Sequence, residues 1–224
     1  MDDAVEPYEP LTGRARYVTV SLLVMAGLLM IGFVFDYLEF RIAQRLIDGE
    51  AITRAEARAS DDRQQSVALA QFMMLVLCGI AYVRWFRRAY GNLPALGSAE
   101  LRYRRGWAVW GWFVPVLALW RPKQLANDIW RATEPGLPWN AGAGLWGRAP
   151  VPRLITAWWV LWIAGGAMAT WSLTIPGHTA EQLRGRAVLD MATDTVLLVC
   201  AALACLMVSE IGQRQARRAA DEPA

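Results

Sequence analysis

The sequence predicts an all-α integral membrane bundle: four full spans, one short Pro-broken Trp-rich segment, and a surface amphipathic helix. Three observations predict it. First, 55% of the 224 residues are hydrophobic, above the composition of ordinary soluble domains, and the excess is gathered into blocks. Second, four blocks, near 18–35, 67–86, 154–175 and 187–208, match the ~20 apolar residues that a helix needs to cross ~30 Å of hydrocarbon. Helix is the required form, because a lone strand leaves its backbone polar groups unpaired in lipid. Third, the stretch "GWAVWGWFVPVLALW" at 106–120 is dense in tryptophan and interrupted by Pro115. As helix it is roughly 22 Å long, short for a crossing, and the proline removes a backbone donor.

The expected organisation is a cytoplasmic tail over 1–16, one bundle domain over 17–212 and a charged tail over 213–224. The acidic-then-basic start lacks the basic n-region and cleavage site of a signal peptide, so the first span is read as uncleaved. Beyond Phe35, Leu38, Ile42 and Leu46 continue one apolar stripe, and Gly49 suits a left-handed helix end. Thr53 and Glu56 then form a capping box that starts the next helix. The first two spans are therefore an antiparallel hairpin with a charged tip outside the membrane.

Charge orients the rest. With the N-terminus inside, a re-entrant or interfacial 106–120 leaves 16 Lys and Arg on the cytoplasmic side against 7 outside, whereas a full crossing leaves 10 against 13. Cytoplasmic loops hold the cationic excess, which favours four spans, with five as the alternative. After Arg121, "PKQLANDIWRAT" places Leu125, Ala126, Ile129 and Trp130 on one face. Lys123, Gln124, Asn127, Asp128 and Arg131 lie around the other, the pattern of a helix lying on the membrane surface. The following "EPGLPWNAGAGLWGRAPVP" reads as loop.

Several function classes recede. The net charge of +3 comes without a basic tract, so no nucleic-acid partner is expected. Cys78, Cys200 and Cys205 lie in apolar blocks and read as small buried hydrophobes. His178 is the sole histidine and lacks companions for a zinc site. The GxGxxG match at Gly142, Gly144 and Gly147 has no strand before it or helix after it, so no dinucleotide is implied. No catalytic residue, metal or cofactor is assigned.

Two candidate sites remain. At the outer boundary, Asp36 and Glu39 close the first span, while Asp190 and Asp194 lie one turn apart near the start of the last. Such groups at membrane depth are costly and mark cation or proton paths, unless Arg41, Arg45, Arg184 and Arg186 pair with them. At the inner boundary, Arg84, Arg87, Arg88, Arg104, Arg105, Arg121, Lys123 and Arg131, interleaved with Asn92 and Trp130, form an anion or lipid-headgroup site. Gly165, Gly166 and Ala169 permit close helix approach, within the bundle or between copies.

The stretches "EARASDDRQQ", "WFRRAYGNLPALG", "GWAVWGWFVPVLALWRPKQLANDIWRAT", "AWWVLW" and "VSEIGQRQARR" together resemble a bacterial membrane family catalogued as domain of unknown function 4328, over about residues 15 to 218. Ala118 departs from the asparagine that members often carry there. The resemblance implies a multi-pass protein of the bacterial inner membrane and supplies no activity. The function expected is non-enzymatic: an interaction, scaffold or regulatory module engaging lipid headgroups, partner membrane proteins or itself. A small transporter or channel subunit using the outer carboxylates is the second reading, and a lipid-directed enzyme the third.

Overall fold

The computed structural model describes residues 6–98 and 100–221. Among these the chain is helical, with no strand and one isolated bridge between Ser98 and Ala141. The helices are α1 (Thr12–Ile47), α2 (Arg54–Gly91), α3 (Trp107–Trp110), α4 (Arg121–Ala132), α5 (Ala143–Trp146), α6 (Arg153–Ser172) and α7 (Ala180–Ala220). Four of them, α1, α2, α6 and α7, are long and apolar enough to cross a membrane. Only 11% of the most apolar window of α2 is buried, so its Leu69, Phe72, Met73 and Leu77 present a greasy surface to the surroundings. A water-facing helix does not carry such a surface.

The chain divides into two compact units. The first holds the described residues of Met1–Val20, Cys78–Ala157 and Leu203–Ala224; the second holds Ser21–Leu77 and Trp158–Ala202. In the second unit the hairpin forms as its caps dictate. Gly49 adopts φ 82, and the Glu50 N–H donates to the Arg45 carbonyl at 2.9 Å. The Glu56 N–H then donates to Thr53 Oγ1 at 3.2 Å while the Thr53 N–H donates back to Glu56 Oε2 at 2.9 Å, the reciprocal pair of a capping box. Opposite, α6 and α7 approach closely at Gly165. A Cβ there would meet Leu197 Cδ2 at 2.5 Å, whereas Gly166 has open space. Gly165 thus serves packing within the chain. The three cysteines form no disulfide.

In the first unit an aromatic group anchors the Trp-rich segment. Trp112 meets the rings of Tyr82 and Phe86 edge-on, with centroids 5.6 and 5.7 Å apart. Each such contact contributes about 1 kcal/mol beyond the area it buries. The segment is no continuous helix. After α3 the Leu117 N–H donates to the Pro115 carbonyl at 2.7 Å, closing a three-residue turn around Val116 at φ 67 and ψ −52. That turn, which follows the end of α3 at Trp110, is strained for a β-branched residue. A 3₁₀ turn, Leu117–Leu119, leads into α4.

The stripe expected on α4 is there, but Leu125, Ala126 and Ile129 are fully covered by the chain's own atoms. Asp128 requires a correction: expected on the polar face, it is buried with 1% exposure. The apolar stripe defined only one side of α4, and packing reaches round its flank. The expected loop 134–152 contains the single helical turn α5. Residues 213–220, expected as tail, continue α7, and Arg214, Gln215 and Arg218 pack in the first unit.

Candidate functional site

Within the second unit, polar residues recur at helical spacings that place them on common faces. On α1 these are Asp36 and Glu39, with Gly32 one turn before them; on α2, Gln64 and Gln71; on α7, Asp190 and Asp194. The Gln64 amide donates to Asp36 Oδ1 at 3.0 Å and to Glu39 Oε2 at 2.7 Å, joining both carboxylates through one donor group. Gln71 donates to the Leu28 carbonyl at 3.3 Å and lies beside the Asp194 carboxylate above Gly32. A Cβ at Gly32 would strike both side chains, so the glycine makes room for them. Asp36 and Asp194 are 5% and 8% exposed, and the neighbours that act on Asp194 are Gln71 and the like-charged Asp36 and Asp190.

The arginines that could neutralise this group are largely engaged elsewhere. Arg45 pairs with Glu50 at 2.8 Å and Glu56 at 3.2 Å, Arg41 donates to the Tyr37 hydroxyl, and Arg184 donates to Gln44. Among the described residues Arg186 alone forms an ion pair with the group, to Asp190 at 3.6 Å, and its charge also acts on Asp36 and Glu39. Gln64, Gln71 and Gly32 went unremarked in the sequence. Their signal was a pair of glutamines seven residues apart flanking and entering an apolar run. Among the described residues no group of His, Cys, Asp or Glu is arranged to hold a metal ion.

The cations expected at the inner boundary fall into two sets in the first unit. Arg88 pairs with Glu6 at 3.1 Å and Glu9 at 3.0 Å, and Arg105 pairs with Glu6 at 3.3 Å. Arg121 lies 4.1 Å from the Tyr103 ring centroid and donates to Gln124, and Arg131 donates to the Ala149 carbonyl. Asn92 is wholly buried; its amide donates to the Glu9 carbonyl and to Gln215 Oε1, each at 2.9 Å, and its oxygen accepts from the Glu9 N–H. Both amide hydrogens are thereby used. Trp130 carries Arg214 over its ring at 4.0 Å. Arg84, Arg87 and Arg104 are exposed and Lys123 half-exposed, with no ion pair among the described residues. In the same unit, Trp110, Phe113, Val116, Leu119 and Trp120 are exposed on the broken segment.

Asp128 is the group in this unit that sequence reasoning misplaced. Its Oδ1 is 3.9 Å from the half-exposed Arg102, and its buried Oδ2 accepts no hydrogen bond. Burial pushes its carboxyl up to about 6, against the opposing pull of Arg102, Arg131 and Arg121. Arg214 and Arg218, read as tail charges, are fixed in place. Arg218 donates to the carbonyls of Leu96, Leu137 and Pro138 at 3.1, 2.6 and 3.0 Å. No local pattern marks these bonds, because their partners lie some 80 to 120 residues away in sequence.

These features define the class: an all-helical protein with four helices long and apolar enough to span a membrane, carrying a carboxylate–carboxamide group in one unit and both exposed cations and exposed tryptophans in the other. The chain belongs to the family described as Domain of unknown function (DUF4328), whose model matches residues 48–213. No curated protein and no solved structure matches it.

Proposed function

We propose that this is a multi-pass protein of the bacterial inner membrane, N-terminus cytoplasmic, that works as an interaction or regulatory module by engaging anionic lipid headgroups. The observation that carries the reading is the exposed apolar run Trp110, Phe113, Val116, Leu119 and Trp120, in one unit with the exposed Arg84, Arg87 and Arg104. Tryptophan prefers the headgroup boundary, and each cation near an anionic leaflet gains on the order of 1 kcal/mol. The ion pairs of Arg88 and Arg105 narrow the site to the cations left outside them. In the variant Arg84→Gln/Arg87→Gln/Arg104→Gln, the ratio of anionic to zwitterionic lipid co-purified, read by mass spectrometry, falls at least several-fold. An unchanged ratio overturns the reading.

A second reading, a small transporter or channel subunit, is favoured by the burial of Asp36 and Asp194 with arginines largely committed elsewhere. Carboxylates in lipid that lack full compensation mark ion and proton pathways. In sealed liposomes, proton or monovalent-cation flux through the wild type is then abolished by Asp194→Asn. Absence of flux in the wild-type protein removes this reading and leaves the first intact.

A further inference from the structure

A cavity of about 450 Å³ opens between α1 and α2 near the hairpin tip of the second unit. Its lining includes Arg41 and Arg45 of α1, Arg63 and Glu56 of α2, the Tyr37 side chain, and an apolar wall to which Leu38 contributes. The volume lies within the ~300–1,000 Å³ typical of small-ligand sites. Three arginines and one glutamate line the cavity, and the glutamate is already held. Glu56 accepts from Arg45 at 3.2 Å and from the Thr53 backbone and hydroxyl. Arg45 is fixed between Glu50 and Glu56, so its fork is set before any ligand arrives. Among the described residues the exposed Arg41 meets the Tyr37 hydroxyl at 3.4 Å, and the half-buried Arg63 forms no ion pair. Two helices thus bring three arginines and one glutamate to the lining of one concavity, which leaves it net positive.

We infer that this cavity binds a phosphate group, held chiefly by Arg41 and Arg63 with Tyr37 beside them and Arg45 supporting the wall. A tetrahedral oxyanion offers oxygens to guanidiniums from two directions, and such charge-assisted, forked bonds are roughly twice as strong as neutral ones. The apolar wall accommodates a short carbon portion next to the phosphate. The source is either a free phosphorylated compound or a phospholipid headgroup, since both present the same chemistry. The site lies in a different unit from the exposed arginines of the lipid reading and does not rest on it.

The experiment uses the full chain in two arms. In neutral detergent, inorganic phosphate is titrated calorimetrically against the wild type, Arg41→Gln/Arg63→Gln and the control Arg153→Gln, whose side chain lies outside the cavity. In nanodiscs, retention of phosphatidylglycerol over phosphatidylcholine is measured for the same proteins. Phosphate binding weakened about tenfold or more in the double variant alone, equivalent to roughly 1.4 kcal/mol, supports the site with a free ligand as source. Loss of phosphatidylglycerol retention in the double variant alone supports it with the headgroup as source. If the double variant fails to fold, Arg63→Gln replaces it, with a loss of at least threefold expected. Binding in neither arm, or binding that the cavity arginines do not alter, overturns the inference.

Discussion

Asp128 carries a pH dependence that its neighbours cannot cancel. Its carboxyl ionises at about 6 in the folded chain and near 3.8 when exposed, so the folded state holds the proton more tightly. The resulting stabilisation is complete below about pH 4 and is lost as the pH rises through 6. A displacement of that size corresponds to something on the order of 2–3 kcal/mol. The melting temperature of the wild type therefore falls between pH 5 and 8, and Asp128→Asn flattens that fall. A slope unchanged by the substitution would show that another group is responsible. At this scale the sequence was legible only where charge meets a regular pattern. Asp36, Glu39, Asp190 and Asp194 announced themselves as carboxylates bordering apolar runs. Asp128 did not, because its neighbours Lys123, Asn127 and Arg131 make a solvated face the simplest reading.

At the scale of elements, close approach and breakage decide the outcome. Gly165 lets α6 and α7 meet at a distance that leaves no room for a side chain. Gly165→Leu should destabilise the second unit by about 1–3 kcal/mol, seen as a lower thermal midpoint in detergent, while Gly166→Leu, facing open space, leaves the midpoint within a degree or so. Equal effects would mean that α6 is not held there. The hairpin tip was legible in detail, because Gly49 and the Thr53–Glu56 box act within a few residues of themselves. The irregularity of the Trp-rich segment was legible, its form was not: α3 ends at Trp110, ahead of the proline, and Pro115 instead supplies the carbonyl of the turn around Val116. For α4, the stripe of Leu125, Ala126 and Ile129 was read correctly as apolar, but periodicity does not tell whether lipid or protein covers it.

Across the whole molecule, neither compact unit is a continuous stretch of chain. The first is assembled from three segments and the second from two. The long apolar helices could be read from composition, because a span must satisfy hydrocarbon over its entire length. The polar bonds that complete the first unit could not, since each joins residues far apart: Asn92 with Gln215, Arg214 with Glu134, Arg218 with Leu96. Asn92 shows what such distance entails for folding. Its two donors find Glu9 and Gln215, 83 and 123 residues away along the chain. The buried amide is satisfied once three remote stretches have met, and loss of either acceptor leaves a desolvated donor inside the first unit, at a cost of about 1–3 kcal/mol.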